Sequence, residues 1–309
     1  STLHCAISRT PRRVTSTVSS RPVRPSTAPC RGGSPTSAAD IARLDAELVR
    51  RGLARSRGEA REFVRAGQVT IGGSVATKPS LPVADDDVLV VEVAGPRWVG
   101  RAAHKLDAAL QEWGPVGLTV KGRRCVDVGA STGGFTQVLL AADAAHVAAV
   151  DVGRGQLVPD VASDPRVTEH SGTTIRGLQP ETIGGPADVV VADLSFISLT
   201  LVLADLARLM GERGDLVVLV KPQFEVGRGR LNRQGVVTDP RERTAALQRV
   251  VESTLDAGLF VHGIRESPIA GTTGNIEYLL WARSDPSDTM SADRVRDIVR
   301  EITTEARGG

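Results

Sequence analysis

Residues 125–140 read Cys-Val-Asp-Val-Gly-Ala-Ser-Thr-Gly-Gly-Phe-Thr-Gln-Val-Leu-Leu. The stretch opens as a short apolar strand, passes through a glycine-rich turn, and takes on the apolar spacing of a helix from Phe135. Strand, glycine turn and helix together form the entry to a nucleotide-type cofactor site. A side chain at Gly129, Gly133 or Gly134 would hold the backbone away from a ligand over the strand end, or demand a backbone angle that only glycine takes cheaply. No Gly-Lys-Ser/Thr follows, so this is not a phosphate-cradling P-loop. Gly-x-x-x-Gly-Gly is likewise not the dinucleotide pattern Gly-x-Gly-x-x-Gly.

Asp127, two residues before the first glycine, is placed to hold a cationic ligand group, and Asp151 closes the next apolar run, 147–150, where a ribose diol would lie. A bare glycine-rich turn also serves as a plain tight connection in other α/β proteins. With both aspartates in register, the combination resembles the S-adenosylmethionine site of Rossmann-like methyltransferases. That resemblance implies S-adenosylmethionine as cofactor, held by Asp127, Gly129, Ser131, Thr132, Gly133, Gly134, Phe135 and Asp151.

The 309 residues leave room for two domains, one of them large enough for a full α/β core. Charged residues make up 24% and the apolar classes 41%, as in ordinary water-soluble proteins. The longest uncharged apolar run, residues 194–204, is far shorter than the ~18 to 20 residues of a membrane-spanning helix. Cys5, Cys30 and Cys125 form no Cys-x-x-Cys pair, and the five histidines show no ligand spacing. Neither a disulfide framework nor a metal site is therefore expected, and a reducing, cytoplasmic setting fits.

The net charge of +2 hides an asymmetry. Residues 1–39 hold six arginines and no acid, so the 38 basic residues fall to 32 beyond them, against 36 acidic ones, a net charge of −4. Nucleic-acid binding would therefore need a local basic patch. Rich in Ser, Thr, Pro and Arg and lacking an apolar period, residues 1–39 are expected to be a disordered, dispensable leader. The same composition matches a transit peptide, a start site set too far upstream, or an RNA-grasping tail.

From Asp40 to residue 94 the pattern is that of a small α/β module. Leu44 and Leu48 share one helical face, Ser56-Arg57-Gly58-Glu59 reads as a capping box, Val69 and Ile71 alternate into a strand, and residues 88–93 return as another. Arg50, Arg51, Arg55, Arg57, Arg61 and Arg65 stand across the helices against Glu59 and Glu62. A charge run is commonly just a solvated face. Yet Arg43-Leu44-Asp45, Leu48, Arg50-Arg51-Gly52, Ser56-Arg57, Ala60, Val64, Gly67 and Lys78-Pro79-Ser80 together resemble the S4-type RNA-binding domain. The resemblance implies that these arginines rest on RNA phosphates, fixing position without reading sequence.

Residues 95–101 read as a linker, with Trp98 plugging the boundary, and residues 102–309 as the larger domain. A helix is expected over 102–113, strands near 166–169, 187–193 and 215–221, and helices over 197–210 and 241–255. Two closely joined strands, 259–264 and 275–283, and a helix capped by Ser291 complete it. Ligands gather at the carboxyl ends of strands in such sheets. Asp193 and Lys221 end successive strands, and Glu277 stands in an otherwise apolar strand, where a carboxylate needs a cationic partner such as Lys221 or Lys105.

Four segments then carry a closer resemblance: Asp-Val-Gly-Ala-Ser-Thr-Gly-Gly-Phe, Ala-Asp-Leu-Ser-Phe-Ile-Ser at 192–198, Val-Lys-Pro-Gln-Phe-Glu-Val-Gly at 220–227 and Gly-Asn-Ile-Glu-Tyr at 274–278. They are similar to the TlyA family, some members of which are called haemolysin A, over residues 41 to about 305. The resemblance implies an S4-type module joined to an FtsJ-like catalytic domain that methylates ribose 2′-hydroxyls of ribosomal RNA, at a cytidine. It also implies a catalytic tetrad of Lys105, Asp193, Lys221 and Glu277. In that reading Lys221, crowded by Lys105, accepts the hydroxyl proton, the two acids orient the lysines, and Phe196 and Phe224 are candidates to stack on a displaced base. Two other functions remain to be weighed: a membrane-active haemolysin, which no long lytic helix supports, and a non-catalytic ribosome-assembly factor, for which an intact tetrad would be superfluous.

Overall fold

Leu44 and Leu48 lie fully buried in one small core, as their four-residue spacing on a helix requires. The computed structural model describes residues 12–15, 41–93 and 98–304, and the chain divides into two units, Ser1–Arg97 and Trp98–Gly309. The first contains β1 (Arg12–Thr15), β2 (Ala42–Arg43), α1 (Leu44–Arg50), α2 (Arg57–Arg65), β3 (Val69–Ile71), β4 (Ser74–Val75), β5 (Pro82–Val83) and β6 (Leu89–Val93). One sheet runs β1-β6-β3-β4, and β2 pairs β5. Gly72 and Gly73, with φ of +56° and +87°, make the two-residue hairpin turn between β3 and β4.

Ser56 caps α2 by accepting the Glu59 N–H at 3.2 Å, while the Glu59 carboxylate accepts from the Arg55 N–H at 2.6 Å. The arginine-rich leader lies largely outside the described residues. Its described piece, β1, departs from the unstructured expectation: it pairs antiparallel with β6, whose edge offers unpaired backbone groups.

The second unit runs α3 (Ala103–Trp113), β7 (Arg124–Val128), α4 (Gly134–Ala141), β8 (His146–Asp151), α5 (Pro159–Ala162), β9 (Val167–Ser171), β10 (Ala187–Ala192), α6 (Leu203–Arg208) and β11 (Met210–Val220). It continues through α7 (Pro222–Glu225), α8 (Pro240–Asp256), β12 (Phe260–Glu266), β13 (Tyr278–Arg283) and α9 (Ala292–Thr304). Among the described residues it forms a seven-stranded sheet ordered β12-β13-β11-β10-β7-β8-β9. Strands β7 to β11 pair in parallel, and β13 runs antiparallel between β11 and β12. Alternate strand residues face opposite layers. Val126, Val190 and Val218 share one core with Leu203 of α6, Leu247 of α8 and Val299 of α9; Val147, Val191 and Val217 share the other with Leu106 of α3 and Leu139 of α4. Each such fully buried aliphatic side chain contributes roughly 1.5–3 kcal/mol. Trp98 is buried in this second core.

The helix expected over 197–210 is broken into a single 3₁₀ turn, Leu199–Leu201, and the short α6. Phe196 sits at φ +64°, outside any helix, and the Leu199 N–H is drawn to the Glu225 carboxylate at 2.8 Å. A contact from another element thus overrides the local apolar pattern.

Candidate active site

The carboxyl ends of β7, β8 and β10 open on a cavity of about 330 Å³. Gly129, at φ +84°, makes this convergence possible: a Cβ there would lie 2.6 Å from the Asp193 carbonyl oxygen. Asp151 ends β8 at the cavity wall, where its Oδ2 accepts the Ser131 N–H at 2.8 Å and its Oδ1 the Gly153 N–H at 2.7 Å. It therefore ties the two loops that frame the opening. Val152, Gln156, Thr173, Ile175, Leu194 and Ser195 also line the cavity. They fall in loops, or at loop starts, and no periodicity in the sequence marked them.

The other expected cofactor residues are placed differently. Asp127 is fully buried beneath the turn, where Thr136 Oγ1 donates to its Oδ2 at 2.6 Å and its Oδ1 finds no hydrogen-bond partner among the described residues. Burial pushes its carboxyl up to about 7, against the lowering bond from Thr136 and with repulsion from Asp193 and Asp151 adding to the rise. Its place puts a titratable charge under the glycine turn rather than on the cavity wall. Gly133 (φ +95°) and Gly134 admit α5 and α3 to the turn, since a Cβ would lie 2.9 Å from Val161 and 3.3 Å from the Ala103 nitrogen, respectively. Phe135 is buried in the core of the α3 and α4 layer. Thr132 is exposed and accepts the Val158 N–H on its carbonyl at 3.3 Å.

A second cavity, of about 170 Å³, is lined by Lys105, Asp193, Lys221 and Glu277 together. Asp193 is common to both cavities. Lys105 donates to Glu277 Oε2 at 2.5 Å, and Gln223 Nε2 reaches Glu277 Oε1 at 3.4 Å. Lys221 Nζ lies 2.6 Å from Asp193 Oδ1, a contact of charge off the hydrogen-bonding direction, and donates to Ser195 Oγ at 2.8 Å. Each lysine therefore has its own carboxylate, Lys105 with Glu277 and Lys221 with Asp193. Arg101, Gly271 and Thr272 are also part of the wall. Phe196, at the mouth of the larger cavity, is 92% exposed, with its ring 5.3 Å from that of Phe224.

In the first unit the arginines meet more acid than Glu59 and Glu62. Asp45 and Glu47, both buried on α1, draw Arg43, Arg57 and Arg61, and Arg50 and Arg51, respectively. These guanidinium groups hold both carboxyls well below the usual carboxylate range, against the raising effect of burial. Arg51 also donates to the Ala84, Asp85 and Asp87 carbonyls, which makes it a brace between α1 and the 84–87 loop. Arg55 pairs with Glu59, and Arg57, Arg61 and Arg65 are exposed.

A reversed strand set between β11 and β12, a glycine turn after β7 and an acid ending β8 define a Rossmann-like methyltransferase. The FtsJ-like methyltransferase family profile matches residues 98–284 and the S4 domain profile residues 42–89. The chain belongs to the TlyA family of FtsJ-like methyltransferases. It is 49% identical over 265 residues to the 16S/23S rRNA (cytidine-2′-O)-methyltransferase TlyA of Mycobacterium tuberculosis, covering 85% of this chain and 98% of that protein. It is 35% identical to a Brachyspira hyodysenteriae protein named Hemolysin A, over 77% of this chain and 98% of the relative. A solved structure of a hemolysin-named protein from Streptococcus thermophilus matches with a TM-score of 0.64 and 34% identity, over 86% of this chain and 96% of its own. Among the described residues no helix is long and apolar enough to cross a membrane.

Proposed function

We propose that this chain methylates the ribose 2′-hydroxyl of a cytidine in ribosomal RNA of the small subunit, the large subunit or both. The observation that carries the reading is the convergence of Lys105, Asp193, Lys221 and Glu277 on one cavity that shares Asp193 with its neighbour. The names of the curated relatives, and the S4 domain, support ribosomal RNA as the substrate. The cofactor is S-adenosylmethionine. The cavity of about 330 Å³ lies within the range of small-ligand sites, Asp151 ends β8 where a diol can be met, and the partnerless Asp127 Oδ1 below the turn favours a cation nearby. Bound there, the cofactor supplies an electrophilic methyl on a positively charged sulfur.

The protein's own tasks are then positioning and proton removal. A ribose hydroxyl entering the smaller cavity meets Lys221, whose neutral amine accepts the hydroxyl proton while Asp193, 2.6 Å away, holds the side chain in place and offsets the charge it gains. Glu277, held by Lys105, fixes the opposite wall. Phe196 offers an exposed ring on which a displaced base stacks, beside Phe224. The exposed Arg55, Arg57, Arg61 and Arg65, with Arg50, supply phosphate contacts that orient the RNA, and a ribosomal substrate supports a cytoplasmic setting.

Purified protein, radiolabelled S-adenosylmethionine and ribosomal subunits from cells lacking the gene test the reading. Label is expected at a 2′-O-methylated cytidine. Label on a base, or none on RNA, would overturn it. Four converging tetrad residues have no use in a purely structural assembly factor. The haemolysin reading would return if lipid-free protein released dye from liposomes.

A further inference from the structure

We propose that Glu225 is a positioning residue, a latch that fixes the loop carrying Asp193, Ser195 and Phe196 against residues 221–225, which carry Lys221 and Phe224. The inference rests on the functional reading above. Along residues 221–225 three side chains meet successive points of the facing loop. Lys221 contacts Asp193 and Ser195, Phe224 contacts Phe196, and the Glu225 carboxylate receives the Ser198 O–H and, at 2.8 Å, the Leu199 N–H. The segment is itself pinned to α8, because Arg249 Nη2 donates to the Glu225 carbonyl at 2.9 Å.

What this stitching holds is a strained residue. Phe196 is not glycine, yet it sits at φ +64°, a conformation costing on the order of 1 kcal/mol or more for an L-residue. Its ring is almost wholly exposed, so burial gives no return for the strain. The conformation must be imposed by what grips the chain on either side: Ser195 under Lys221 before it, and Ser198 and Leu199 under Glu225 after it. Burial pushes the Glu225 carboxyl up from its ordinary value while the bonds from Ser198 and Leu199 pull it down, as for a carboxylate whose worth lies in those two bonds. Released from it, the loop is free to relax, taking Phe196 off the rim and Asp193 out of register with Lys221.

The test uses the full chain with Glu225→Ala, Glu225→Gln, Phe196→Ala and the double variant Glu225→Ala/Phe196→Ala. Hydrogen exchange at the Leu199 amide should speed up about tenfold in Glu225→Ala, the loss of roughly one hydrogen bond, with β10 and β11 unchanged. Glu225→Gln, whose Oε1 still accepts from Leu199, should restore protection. In methylation assays Glu225→Ala should raise KM for RNA about tenfold and lower kcat. The double variant should lose clearly less than the product of the two single losses, because both changes remove the same aimed ring. Unchanged Leu199 exchange overturns the latch, and so does a double-variant loss equal to the product of the single losses. Wild-type protein that fails to methylate RNA would overturn the functional reading instead, while the exchange comparison still decides whether Glu225 holds the loop.

Discussion

Lys105 donates to Glu277 Oε2 at 2.5 Å although 172 positions separate them in the chain. Both side chains are buried, so each is the other's compensation for lost water. Glu277→Ala should leave a buried ammonium unpaired and destabilise the protein by about 3–5 kcal/mol, read from urea unfolding. Lys105→Ala/Glu277→Ala should recover much of that loss, without recovering turnover.

Lys221→Ala removes the proposed proton acceptor. Turnover is expected to fall by roughly 10² to 10⁴, with cofactor and RNA affinity little changed. Combining it with Glu277→Gln should cost far less than the product of the two losses, since groups that act as a unit are not additive. Single-turnover kinetics on ribosomal subunits measures both, and a substantially active Lys221→Ala enzyme would leave positioning alone as the source of catalysis.

Arg51 and Arg57 should part company. Arg51→Ala takes away a brace of four carboxylate and carbonyl contacts and is expected to cost about 2–4 kcal/mol of stability in the first unit. Arg57→Ala leaves Asp45 with Arg43 and Arg61, so stability should hold while RNA affinity falls. The plot of log affinity against log salt should flatten by about one unit or less for each lost phosphate contact.

Asp151→Ala frees the Ser131 and Gly153 N–H groups and unties both cavity loops. Calorimetric titration with S-adenosylmethionine should show affinity lowered by about tenfold to a hundredfold, the worth of one charged hydrogen-bonding group. RNA affinity should be unchanged.

Asp127 gives stability a pH dependence. Its folded carboxyl titrates at about 7 against 3.8 unfolded, so the folded state holds more protons between those values. Stability contributed by the neutral form therefore falls as pH rises from about 4 to 7, by at most about 1.4 kcal/mol per pH unit. Asp127→Asn should flatten this slope and raise the melting temperature at pH 8, as scanning calorimetry from pH 5 to 8 would show.

The glycine turn and the strand alternation were legible in the sequence because each is a local pattern, whereas the tetrad came from the family resemblance, since Lys105 within α3 and Glu277 ahead of β13 end no strand. Asp45 and Glu47 were not, since an acid beside Leu44 on a helix reads as solvent-facing until α2 brings Arg57 and Arg61 over it. The break at residues 197–202 was hidden for a similar reason. An unbroken apolar run looks helical, and only the Glu225 carboxylate, at the end of α7, takes the Leu199 N–H. Val152, Thr173 and Leu194 line the cofactor cavity from loops, where no period announces a wall. The separate pairing of the two lysines depends on side-chain reach across the sheet, which spacing along the chain does not encode.

Strand β13 bridges β11 and β12, so it must arrive before either can be completed. During synthesis β11 waits with an open edge and β12 with no partner strand until residues 278–283 have left the ribosome, and Glu277 arrives with them. At translation speeds of about 5–20 residues per second, the nascent chain spends most of its time without a finished tetrad. A chain cut short before β13 also lacks the strand that carries the chain past Glu277, and should be silent however well its cofactor turn has formed.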